Sequence, residues 1–278
     1  RNPHNLAHSP GGSSSGSAAA IAAGQIPLAI GTQTGGSVVR PASYCGVFGM
    51  KPSFGSISRA GVLQTSQTLD QVGVFASTLT GIGRLCDVIM TGAEGMMQAT
   101  QSACDNPRCL VFDGLYDGVV ESGVQDAVSS VTASLGAAVT HIPAPEMIAS
   151  YLAGHKAVYH VELAQNLGAI CDAKSALVGP AAKATVAIGR THHSDVYDAA
   201  QGMRVRAIAE LSSYFTSYDV LITPAATSEA PLFDDGTGNP TCNALWSFVG
   251  FPCITLPLAT GPTGLPVGVQ LIGAMGAD

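Results

Sequence analysis

The stretch that most restricts the fold runs from residue 109 to residue 142. Residues 109–112 (CLVF) read as a buried strand, Val124, Val128, Val131 and Leu135 fall on one face of a helix, and residues 139–142 read as a second strand. Such a strand–helix–strand unit makes its strands parallel and its crossover right-handed. The rest of the chain follows the same alternation. An alanine-rich helix over 18–23 stops at Gly24, a short strand follows at 27–30, and Leu79, Ile82, Leu85 and Val88 predict an amphipathic helix over 78–90. Residues 146–218 are mostly helical with a break near 178–180, and strands are expected at 220–223, 253–256 and 267–272. The expected class is α/β. No internal repeat or linker divides the chain, so residues 1–278 read as one domain, with 234–241 a surface loop.

Composition removes several function classes. Charged residues make up 11% of the chain, against about 25% in ordinary soluble domains, and the formal net charge is −7. An acidic chain lacks the basic footprint that phosphates need, so no nucleic-acid partner is expected. Mean hydropathy is +0.31, yet the most apolar stretch, residues 18–30, is too short to span a bilayer and is interrupted by Gln25 and Pro27. No membrane partner is expected either. The seven cysteines are scattered without a CxxC pair, which fits buried reduced thiols and a cytoplasmic setting rather than zinc or redox chemistry. His155 and His160, five residues apart, do not share a helical face and so do not suggest a metal site.

Two glycine–serine loops carry the chemistry. Residues 11–17 (GGSSSGS) and 31–37 (GTQTGGS) flank one helix–strand unit. In the second, the main-chain N–H groups of Thr34, Gly35 and Gly36 can converge on one point, as in an oxyanion hole, with Ser37 beside it as a nucleophile. By composition alone the same run is a flexible turn. Neither loop has the lysine of a phosphate-binding loop, and the GxGxxG pattern is absent.

Together with Arg40-Pro41-Ala42, Cys45-Gly46, Lys51-Pro52, Ser58-Arg59-Ala60-Gly61, residues 69–73 (LDQVG), 219–224 (DVLITP) and 264–273 (GLPVGVQLIG), the two loops resemble the amidase signature family along most of the chain. The resemblance implies a mixed central sheet sandwiched by helices, here truncated at both ends, and a serine–cis-serine–lysine hydrolase. Ser37 would be the nucleophile and Ser13, 24 residues earlier, the bridging serine held by a cis peptide. Thr34, Gly35, Gly36 and Ser37 would form the oxyanion hole. It implies no cofactor and no metal. The partner expected is a small-molecule amide, with self-association as a homodimer.

The chain also departs from the pattern. The family's catalytic lysine lies upstream of the first serine loop, whereas the lysines here are Lys51, Lys156, Lys174 and Lys183. Lys51 matches the structural Lys-Pro block. The expectation is therefore a partial chain, inactive as it stands, because Ser13 has nowhere to pass a proton. Ser15 and Gln33 replace the more frequent glycine and aspartate, and Arg40 stands three residues after Ser37 rather than two. Arg40 either anchors loop carbonyls, pairs with Asp70 or grips a substrate carboxylate, and Gln33 is a second candidate substrate contact. Trp246 and Phe248 are expected in the core, and His192 and His193 on a helix surface. The activity expected is hydrolysis of a carboxamide through an acyl-serine. The rivals are the glutamine-hydrolysing A subunit of a tRNA-dependent amidotransferase and an inert scaffold of the same fold.

Overall fold

The computed structural model describes residues 1–91 and 106–278; Cys104 lies outside them. Among the described residues eight strands form one mixed sheet: β1 (Leu28–Gln33), β2 (Phe48–Lys51), β3 (Gln71–Ala76), β4 (Cys109–Asp113), β5 (Val139–Pro143), β6 (Val220–Pro224), β7 (Cys253–Thr260) and β8 (Pro266–Ile272). Their order is β1-β3-β2-β7-β8-β6-β4-β5. β5, β4 and β6 are parallel, which places the expected strand–helix–strand unit at one edge. The pairings from β6 through β8, β7, β2 and β3 to β1 are antiparallel. The sheet is thus mixed, as the class expectation required.

Among the described residues eight helices flank it: α1 (Ser15–Ala22), α2 (Val39–Cys45), α3 (Leu79–Ile89), α4 (Ser122–Ser134), α5 (Ile148–Ala173), α6 (Pro180–Thr191), α7 (Ser194–Tyr214) and α8 (Thr241–Val249). The N-cap hydroxyl of Thr78 accepts the Gly81 N–H at the start of α3. Val88, expected on the apolar face of α3, is 80% exposed; the buried face runs through Ile82 and Cys86. Four residues advance a helix by about one turn and keep the face, whereas six carry Val88 well round the cylinder and away from it. α2 sits under the sheet with all seven residues buried and ends at Gly46, whose φ of 62° is the left-handed conformation open to glycine.

The main core joins α5, α7 and α8 to the sheet around Tyr151, Leu211, Trp246, Phe248 and Phe251. Trp246 and Phe248 are fully buried, as expected. A second cluster sets Val124 and Val128 of α4 against Ile222, Val267 and Val269. His192 caps the end of α6 and stacks on His160 at 5.9 Å, so it is half-buried rather than a surface residue. Among the described residues no helix is long and apolar enough to cross a membrane, and no cluster of side chains could hold a metal ion.

Candidate active site

Each serine loop sits where a helix meets β1. Residues 11–14 lead into α1, and residues 34–38 join β1 to α2. The Gly12–Ser13 peptide bond is cis. Ser14 fastens the first loop to β1, its Oγ accepting the Thr32 N–H at 3.2 Å. The Ser14 N–H donates to the Ser37 carbonyl at 3.3 Å, so the two loops are joined through their backbones. Ser13 and Ser37 open on one cavity of about 980 Å³, which Thr34, Gly35, Gly36 and Arg40 also line. No hydrogen bond links the two hydroxyls or commits either to another described residue, so both remain available to a ligand.

The second loop is braced from outside at every carbonyl. Thr34 O accepts from His155 Nε2 at 3.0 Å and Gly35 O from Ser247 Oγ at 2.8 Å. Gly36 O accepts the Arg40 N–H, and Ser37 O accepts that of Ser14. The N–H groups of residues 34–37 have no protein acceptor among the described residues. In the same peptide planes the N–H groups of Gly35, Gly36 and Ser37 point opposite to those tied carbonyls and are left without a protein acceptor among the described residues. Gly36 has to be glycine, because a Cβ there would collide with Asn243 Oδ1.

Gln33 does not reach the cavity. It is fully buried, its Oε1 accepts the N–H groups of Val38 and Val39 at 2.8 and 3.0 Å, and its Nε2 donates to Ser247 Oγ. The expected substrate contact is therefore corrected: both ends of the carboxamide hold the loop that carries Ser37.

Arg40 lines the cavity and anchors the first loop, its Nη2 donating to Gly12 O at 2.8 Å. It does not pair with Asp70. The Asp70 carboxylate is filled by the hydroxyls of Thr34 and Thr65, both at 2.6 Å, and by the N–H groups of Thr65 and Ser66. Arg40 is 5% exposed, burial lowers its pKa, and its Nε and Nη1 have no partner. Buried guanidinium protons without acceptors are costly, and this side chain carries that cost beside the cavity.

Lys51 is spent elsewhere. It is fully buried and donates to Gln71 Oε1 at 3.0 Å, to Pro52 O and to Phe251 O. Burial pulls its pKa down, but its three protons are already placed. A second cavity of about 580 Å³ shares Ser13 and Thr32 with the first. A smaller one, of about 210 Å³ beside Asp113 and His141, contains neither serine and lies apart from this chemistry.

His155, which no sequence motif singled out as functional, faces the site from α5. Burial lowers its pKa to about 4, so near neutrality the ring is uncharged, and donation to Thr34 O places its proton on Nε2.

The family described as Amidase matches residues 1–112 and 119–278. The chain is 32% identical to the A subunit of glutamyl-tRNA(Gln) amidotransferase from Synechococcus sp. (strain CC9605), an alignment that covers 98% of this chain and 65% of that relative. Among solved structures it resembles a crystal structure of an amidase, with a TM-score of 0.89 and 25% identity over 100% of this chain and 66% of the other. It also resembles the A subunit of glutamyl-tRNA(Gln) amidotransferase from Thermotoga maritima, with a TM-score of 0.81 and 28% identity over 100% of this chain and 65% of that one. The chain thus spans about two thirds of the length of the proteins it matches.

Proposed function

The chain belongs to the amidase family, and on that premise we propose that it supplies the nucleophile and oxyanion hole of an amide hydrolase. The observation that carries this reading is the shared cavity: two uncommitted serine hydroxyls beside a loop whose carbonyls are all tied away from it. Ser37 Oγ attacks the amide carbon while its proton passes to Ser13. The oxygen gains negative charge and is received by the N–H groups of residues 34–37, where fixed donors act without reorganisation. The relay then returns a proton to the nitrogen, the C–N bond breaks, and ammonia or an amine leaves. Water attacks the acyl-serine by the same relay and releases the carboxylate. The base beyond Ser13 is a neutral lysine in the family pattern, and Lys51 does not fill that part because its protons are committed.

Arg40 extends the reading to the substrate. Its free Nε and Nη1 suit a carboxylate carried on the acyl side of the amide. Glutamine is such an amide, and the likeness to amidotransferase A subunits in both sequence and structure favours it over a simple amide. The test is ammonia release from glutamine and from neutral amides by the full-length protein, with a fluorophosphonate to mark the nucleophile. Turnover and labelling at Ser37, both lost in Ser37→Ala, are expected. Turnover that survives Ser37→Ala overturns the proposal. Absence of turnover and of label leaves the inert scaffold as the reading.

A further inference from the structure

α5 grips the oxyanion loop twice, and both grips end on Thr34. The first is direct, through His155 Nε2 and the Thr34 carbonyl at 3.0 Å. The second runs through Glu162, which is fully buried and accepts from the hydroxyls of Ser66 and Thr68, the Thr68 N–H at 3.0 Å and the Tyr197 hydroxyl at 2.7 Å. Those contacts fix the segment of residues 65–70, whose Asp70 accepts the Thr34 hydroxyl at 2.6 Å. His155 and Glu162 are seven residues apart, two helical turns, so they share a face of α5. The same helix supplies Leu152, Ala153, Lys156 and Tyr159 to the wall of the cavity that Ser37 also lines. One rigid element therefore touches both the space that the acyl group fills and the peptide unit that aims the oxyanion donors.

We propose that His155 is a positioning residue, an imidazole whose Nε2–H draws the Thr34 carbonyl away from the cavity and so turns the following N–H, that of Gly35, toward the substrate oxygen. The Thr34 carbonyl and the Gly35 N–H belong to one planar amide and point in opposite directions, so holding the first aims the second. The imidazole lies against Gly35, with Cε1 at 3.6 Å from the place a Cβ would take, and has little room to swing. Its other faces are packed too, stacked on Tyr159 at 6.4 Å and edge-on to Phe248 at 6.3 Å. A group so placed belongs to the loop and not to the proton relay. Its effect appears when charge develops on the substrate oxygen, and hardly at all when the substrate merely binds.

This inference rests on Ser37 being the nucleophile, and its test separates the two. In the full-length protein, wild type, His155→Gln and His155→Phe are compared for kcat, KM and the rate of fluorophosphonate labelling at Ser37. Hydrogen exchange of the peptide covering residues 34–38 is followed alongside. Gln can place an amide N–H near the Nε2 position, whereas Phe keeps the bulk without a donor. The expected result is a fall in kcat of roughly tenfold to a hundredfold in His155→Phe with KM within about threefold, less than the full loss of an oxyanion donor. Labelling slows in parallel, exchange rises, and His155→Gln recovers most of the rate. Equal losses in both variants, or a change confined to KM, overturn the positioning role. A wild-type protein that takes no label at Ser37 overturns the reading beneath it. Should His155→Phe fail to fold, the Gln variant and its exchange pattern decide alone: exchange and kcat near wild type support the donor, and a loss as large as that of Ser37→Ala refutes it.

Discussion

Arg40 and His155 show how much a single side chain can settle here. Arg40 lines the cavity, keeps its buried Nε and Nη1 without a protein partner, and holds Gly12 through its third nitrogen. Arg40→Met is expected to raise KM for a carboxylate-bearing amide by about tenfold to a hundredfold, equivalent to the loss of a charge-assisted hydrogen bond, and to change KM for a neutral amide far less. Steady-state kinetics on the pair checks this, and equal effects on both substrates would reduce Arg40 to a loop anchor. His155 makes a stability prediction with a definite sign. Its pKa is near 4 in the fold against an ordinary 6.5, so between those values the unfolded chain binds the extra proton. Stability from this group is therefore complete above about pH 6.5 and lost as pH falls toward 4, by an amount on the order of 3 kcal/mol. Denaturant titrations across that window should show the slope in wild type and not in His155→Gln. Ser13 and Ser37 were picked out by the resemblance of their two loops to the amidase signature, and the structure sets both on one cavity. Gln33 was misread because a polar residue in a glycine loop looks available until its partners, Val38, Val39 and Ser247, are seen. His155 could not be read at all, because its partner is a backbone carbonyl 121 residues away.

Among the elements, the strand–helix–strand unit at β4–α4–β5 and the helical stretch of α5 to α7 followed from periodicity alone. The antiparallel half of the sheet did not, since its pairings join distant segments: β2 lies against β7, with Gly49 opposite Thr255. Short apolar runs separated by glycines carry no local sign of their partner. α8 is the element on which the site leans most. Ser247 holds the Gly35 carbonyl, Asn243 packs against Gly36, and Trp246 and Phe248 anchor the helix in the core. Phe248→Ala should cost about 3–5 kcal/mol by opening a cavity beneath α5 and α8, measurable as a drop in the denaturation midpoint. Gly36→Ala should act differently. Its Cβ meets Asn243, so the loop has to shift, and labelling at Ser37 is expected to fall at least tenfold.

At the scale of the whole molecule, charge is unevenly placed. The chain carries −7, yet the cavity gathers Arg40, Arg59 and Lys156 against Asp70, whose oxygens are already filled. A basic hollow in an acidic body draws anions inward and repels them elsewhere. For a carboxylate-bearing amide, kcat/KM is expected to fall as ionic strength rises from about 10 mM to about 500 mM, over which the screening length shortens severalfold. For a neutral amide it should stay nearly level. The bracing of the glycine loop by α8 has one more consequence. Ser37, the proposed nucleophile, lies early in the chain, but the helix that shapes its surroundings ends at position 249 and the strands that seat that helix finish at 272. During synthesis the ribosome must therefore release residues 241–272 before the surroundings of Ser37 can assemble, so a chain stopped short of them carries the hydroxyl without its shaped pocket.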